Sequence, residues 1–161
     1  EAQLLFEVTL LMQDLGRLAA DLLLFGTREF AFVELPEAFT TGSSIMPQKR
    51  NPDVFELLRG RGATALACLT EALALCAKLP SGYQRDLQLL KAPLFRGIDL
   101  AAQSLEIVAP AIDALQFKPA SIVMDPAVHA AGEAFALVMK EGLPFREAYR
   151  RIAARFTRGV K

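Results

Sequence analysis

The chain has 161 residues, 53% hydrophobic and 22% charged. That is too apolar for a disordered segment and long enough for one or two domains. Its 18 Lys and Arg balance 18 Asp and Glu, so no broad positive field is available for nucleic acid or an anionic lipid surface, and with Arg61 and Glu71 bracketing one of the most apolar stretches, no run reaches the roughly 18 residues of a membrane span.

The chain opens on Glu1, inside a helical pattern with no cap before it and no basic-then-apolar leader. It reads as a piece of a longer protein. Leu4, Val8, Leu11, Leu15, Leu18 and Leu22 step by four and three, and Leu5, Met12, Ala19 and Leu23 widen the stripe. This first helix is expected to end near Phe25, because Gly26 follows. Residues 26–50 are non-periodic and rich in Thr, Ser, Gly and Pro. A second start signal comes next: Asn51 can cap, Pro52 suits the first helical position and Asp53 complements the helix dipole. That helix should run to about Ala77, roughly 38 Å. Its Ala-rich stretch suggests close helix–helix approach. Cys68 and Cys76 on it would lie about 12 Å apart, too far for a disulfide. They read as reduced, buried residues of an intracellular protein, and no His or Cys sits at metal-ligand spacing.

A third helix should follow Pro93, with Leu94, Ile98, Ala101, Leu105, Val108, Ile112 and Leu115 on one stripe. Lys118 and Pro119 mark a break. Asp125–Pro126 starts a short helix that Gly142 ends, and Pro144 starts another towards Phe156. No strand or repeat is expected. The fold class is therefore all-α: a long helical bundle segment over residues 1–117, with a mobile serine loop at about 36–52, and a small, incomplete helical subdomain over residues 118–161. The stripes are wide for so small a globule, so partner helices are expected from other chains or from further sequence.

One loop carries candidate chemistry: Thr40-Thr41-Gly42-Ser43-Ser44-Ile45-Met46-Pro47-Gln48-Lys49-Arg50-Asn51-Pro52-Asp53. Hydroxyls, cations and an amide run directly into a helix N-terminus, where free N–H groups and the positive dipole end favour an anion. From physics alone this is a candidate carboxylate or phosphate site with a hydroxyl nearby; an ordinary surface loop ahead of a helix start is the plain alternative.

The ordered pattern Gly42-Ser43-Ser44-x-Met46-Pro47-x-Lys49-x-Asn51-Pro52 resembles the defining motif of the fumarase/aspartase lyase superfamily. The flanks Phe30 to Pro36, Gln48 to Asp53, Tyr83-Gln84-Arg85-Asp86-Leu87-Gln88 with Lys91, and Gly142 to Ala148 are similar to argininosuccinate lyase, in its C-terminal portion. The resemblance implies β-elimination of argininosuccinate to arginine and fumarate, with no metal or organic cofactor. It implies a homotetramer in the cytoplasm whose active sites are shared between subunits. Residue by residue, Ser43 matches the proton-transfer serine. Lys49 and Asn51 match the groups that hold the substrate carboxylate and its aci form. Glu56 matches the glutamate that pairs with a catalytic histidine of another subunit. Ser44, Met46, Tyr83, Gln88 and Lys91 match substrate-binding positions, with Arg85 a basic position beside them.

Structural roles stay open beside these: solvated charge for Lys49 and Arg85, helix cap for Asn51, dipole partner for Glu56, packing for Tyr83, a solvated helix face for Gln88 and Lys91. His129 does not match the catalytic histidine and reads as a surface or helix-end residue. Gln84 replaces the usual asparagine, and Leu89 and Leu90 replace an acidic pair, which bears on substrate identity. Two further readings are another superfamily lyase acting on adenylosuccinate, aspartate or malate, and a non-catalytic helical assembly module that kept the scaffold.

Overall fold

The computed structural model describes residues 1–46 and 48–157. Five α-helices account for most of them: α1 (Ala2–Phe25), α2 (Asp53–Cys76), α3 (Lys91–Asp113), α4 (Ala130–Glu141) and α5 (Phe145–Thr157). The fold class is all-α. Among the described residues no helix is long and apolar enough to cross a membrane. The chain divides into two units, Glu1–Ser121 and Ile122–Lys161.

In the first unit α1, α2 and α3 pack on one another. Leu5, Val8, Met12, Ala19 and Leu22 of α1 are buried against Phe55, Leu58, Ala65, Cys68 and Ala72 of α2 and Ala101, Val108 and Ala111 of α3. Small residues let the helices come close. A Cβ on Gly62 would stand 3.6 Å from the Met12 carbonyl oxygen, and one on Gly97 only 2.5 Å from Cδ2 of Leu5.

The ends of the helices differ from expectation in instructive ways. α1 stops as anticipated, but Gly26 is right-handed (φ −83°) and its N–H donates to the Leu22 carbonyl at 2.9 Å. The glycine therefore closes the helix without the left-handed turn usual at such sites. Asn51 does not cap α2; Pro52 holds that position, with no side-chain cap bond. Asn51 is instead drawn into a strand pair, because its backbone has a partner across the serine loop. Helix α3 starts at Lys91, two residues before Pro93, which sits in the first turn where its missing N–H costs nothing. Cys76 is exposed while Cys68 is buried. Eight residues at 100° per residue end 80° round the helix, enough to turn one thiol out of the seam.

Among the described residues four two-residue strands interrupt the helical pattern, where none was expected. β1 (Val33–Glu34) pairs antiparallel with β4 (Gln116–Phe117), Val33 opposite Phe117. The Lys118 N–H extends this pairing to the Phe32 carbonyl at 2.8 Å, and Lys118 and Glu34 form an ion pair. The segment leaving α1 is thereby tied to the end of α3. β2 (Thr41–Gly42) pairs antiparallel with β3 (Arg50–Asn51).

In the second unit α4 and α5 pack around a small core of Ala134, Ala148 and Ile152, flanked by Leu137, Val138 and Phe156. The helix expected from Asp125 begins instead as a 3-10 turn, Pro126–His129, which Asp125 caps by accepting from the Ala127 N–H at 2.8 Å; α4 follows at Ala130, and Gly142 ends it in the left-handed region (φ 67°). Arg151 joins Glu141 at 3.0 Å and Glu147 at 2.8 Å, and Arg155 joins Glu133 at 2.5 Å. His129 is exposed and sits at the N-cap of α4.

Candidate active-site loop

β2 and β3 form the stem of a hairpin whose loop runs from Ser43 to Lys49, with Thr41 opposite Asn51 and Gly42 opposite Arg50. Within the loop, Ser43 Oγ accepts from the backbone N–H of Ile45 at 3.3 Å and of Met46 at 3.2 Å. The Lys49 N–H donates to the Met46 carbonyl at 3.0 Å. Ser43, Met46 and Lys49 are thus drawn together by the Ser43 side chain and one backbone bond, while Pro47 lies outside the described residues. Ser44 and Lys49 are exposed, Ile45 is 86% exposed, and Ser43 and Asn51 are half-buried.

The stem is held from both sides. The Thr41 hydroxyl donates to the Asp53 carboxylate at the start of α2. Arg50 forms an ion pair with Glu37, on the short 3-10 turn Glu37–Phe39 that precedes the stem. Neither contact was visible in the motif, since each joins residues twelve or thirteen apart across a turn.

A cavity of about 660 Å³ opens beside the loop, between the end of α1, the segment from Gly26 to Leu35 and the stem. Arg28, Glu34, Lys49, Arg50 and Lys118 supply its charged lining, and Met46 and Gln48 its loop side. Of the ten candidate site residues, Met46 and Lys49 line it; Ser43, Ser44, Asn51, Glu56, Tyr83, Arg85, Gln88 and Lys91 do not.

Glu56 is exposed on the first turn of α2, its N–H donating to the Pro52 carbonyl at 3.3 Å. The remaining candidates stand on a second element. Gly82 (φ 92°) takes the left-handed conformation that turns the chain into the segment after it. A 3-10 helix, Arg85–Leu90, then leads directly into α3 at Lys91. Gln88 donates from Nε2 to the Tyr83 hydroxyl at 2.9 Å. Gln88 and Lys91 lie on successive helices of different pitch, so the shared face expected from their spacing is not that of one α-helix. Among the described residues no hydrogen bond or ion pair joins this group to the serine loop, and Lys49, Arg85 and Lys91 have no ion-pair partner.

Residues 2–66 match the family model described as lyase. The chain is 47% identical to argininosuccinate lyase of Sorangium cellulosum over 96% of its own length and 36% of that protein. It is 45% identical to the argininosuccinate lyase of Xylella fastidiosa strain Temecula1, over 87% of this chain and 32% of that one. For the Roseiflexus enzyme of the same name the identity is 42%, over 92% and 33%. The chain thus spans about a third of the length of the curated relatives it matches. Among solved structures, an EDDS lyase is 25% identical with a TM-score of 0.78, covering 99% of this chain and 33% of that one. The 3-carboxy-cis,cis-muconate lactonizing enzyme of Pseudomonas putida shares the fold at 21% identity and a TM-score of 0.71, over 99% of this chain and 36% of that one. With the serine-bearing motif set on its hairpin, the three long helices packed as in these structures, and identity sustained along nearly all its residues, the chain belongs to the lyase family of the argininosuccinate lyases.

Proposed function

We propose that this chain is the C-terminal portion of an enzyme that cleaves argininosuccinate to arginine and fumarate by β-elimination. The observation that carries the reading is local. Ser43 Oγ accepts two backbone N–H groups, and the ammonium-bearing Lys49 closes the same loop. A serine hydroxyl is a poor base near neutral pH. Hydrogen bonds donated to its oxygen favour the alkoxide, and a nearby cation favours it further.

In this reading Ser43 removes the proton from the carbon next to a carboxylate. The electrons left behind delocalise into that carboxylate as a doubly negative aci form, which fixed donors must stabilise as it develops. Lys49 and Asn51 take that task. The electron pair then returns to form the carbon–carbon double bond of fumarate as the carbon–nitrogen bond breaks. Glu56 pairs with a histidine supplied by another subunit and raises its basicity. Ser44 and Met46 shape the loop side of the substrate site; Tyr83, Gln88 and Lys91, with Arg85 beside them, contact the substrate from a second wall. The Tyr83–Gln88 hydrogen bond supports this by fixing two of those side chains together.

We place residues 1–117 in the central helical bundle of a homotetramer and residues 118–161 in its C-terminal subdomain. The exposed apolar stripes of α1 and α3 favour such an assembly. Three subunits then contribute to each active site, the reaction needs no cofactor, and the setting is the cytoplasm.

The test is fumarate release, followed by ultraviolet absorbance, from the full-length parent protein. Ser43→Ala should lower kcat by about 10²–10⁴, the range for removing a positioned acid–base group. An unchanged rate would refute the assigned role.

A further inference from the structure

The stem of the serine loop is held by a side chain to which the lyase motif assigns no task. Arg50 opens β3 and stands opposite Gly42. One of its terminal nitrogens lies 3.7 Å from where a Cβ on Gly42 would stand. The guanidinium passes over this glycine and forms an ion pair with Glu37, on the turn that enters the stem. Glu37 is fixed in turn, because its carbonyl accepts both the N–H and the hydroxyl of Thr40, each at 3.0 Å. Arg50 therefore bridges the strand that leaves the loop to the turn that enters it. Ser43 directly follows Gly42, and Lys49 directly precedes Arg50. Parting Arg50 from Glu37 would loosen the stem at both ends of the loop, leaving the strand pairing and the Thr41–Asp53 bond to hold it.

The geometry points to Glu37 and Arg50 as a latch that positions the serine loop, so that Ser43 and Lys49 are presented in one fixed arrangement. Both are positioning residues; neither contacts the reacting atoms. The inference rests on the reading that this loop carries the elimination chemistry. The two side chains are 75% and 50% exposed, so the pair adds little to global stability. It acts on the local equilibrium between a closed and an open stem, where an exposed pair shifts populations by about threefold.

The test uses the full-length parent enzyme and two independent readouts. Glu37→Gln removes the charge and leaves every tryptic site in place. Trypsin should then cut the Lys49–Arg50 bond faster and kcat should fall, the two factors multiplying to about threefold, with KM and the unfolding temperature unchanged. Reversing either charge alone, Glu37→Arg or Arg50→Glu, should lower kcat at least as much. The double variant with both reversals should recover kcat to within about twofold, as a direct pairwise interaction requires. The latch is overturned if Glu37→Gln leaves both cleavage and kcat unchanged. It is overturned equally if the double reversal recovers nothing, or if the loss follows the unfolding temperature. Should the unmodified parent release no fumarate, the proposed function fails, and the cleavage rates alone decide the latch.

Discussion

Leu89 and Leu90 are neighbours with opposite environments. Leu90 is 3% exposed and packs with Leu5, Cys68, Leu69 and Ala72, whereas Leu89 is 58% exposed. The pair stands where an acidic pair was expected from the resemblance. At position 90 the departure has a packing reason, since a carboxylate there would be buried among apolar side chains without a partner. Leu90→Asp should therefore destabilise the fold by about 3 kcal/mol or more, while Leu89→Glu should change it by less than about 0.5 kcal/mol. Urea midpoints of the two variants check this, and equal shifts would contradict the assigned burial. Arg96 shows how a surface cation can serve the core: its Nε donates to Cys68 Sγ at 3.1 Å and Nη2 to Glu71 at 2.6 Å. The bond to Cys68, then that to Glu71, raise its pKa above the ordinary arginine value. It stays protonated throughout the physiological range, so it introduces no pH dependence.

At the scale of elements, the approach of α1, α2 and α3 depends on small residues. Gly97 faces Leu5, which is wholly buried and has little room to move aside. Gly97→Ala should cost about 1–3 kcal/mol through overpacking. Gly60, also within a helix, has nothing near its missing Cβ. Gly60→Ala should instead stabilise by about 0.5–1 kcal/mol through helix propensity and a less flexible unfolded chain. Opposite signs in urea denaturation are the expected outcome. The hairpin stem was the least legible element. Asn51-Pro52-Asp53 reads as a helix start, and α2 does begin there, but Asn51 is held in β3 and Asp53 is engaged by Thr41. Local propensity located the boundary; the strand partner that displaced the cap lies across the loop, beyond the reach of local rules.

Across the molecule, the apolar stripes divide. On α1, Val8 and Leu22 are buried while Leu4, Leu11 and Leu18 are exposed; on α3, Ala101 and Val108 are buried while Ile98, Leu105 and Ile112 are exposed. Each exposed set repeats every seven residues, the spacing that lines one side of a helix for a partner helix. Exposed apolar side chains at this spacing suit contact with a partner helix. In the full-length parent, Leu11→Glu combined with Leu105→Glu should lower the mass measured by light scattering after size-exclusion chromatography. Retention of the unmodified mass would mean that these stripes are not the contact.

By itself the order of amino acids determined the all-α class, the three long helices, the two short ones and the serine-bearing motif. Periodicity, Gly and Pro punctuation, and an ordered run of residue types are all local properties of the chain. Only the tertiary structure decided which half of each stripe enters the core, that Cys76 is exposed and Leu90 buried, and that Glu37 reaches Arg50 and Thr41 reaches Asp53. Those outcomes depend on which neighbour occupies each side of a helix and which backbone lies across a turn. A 3.6-residue repeat records that a face is apolar, but not what covers it.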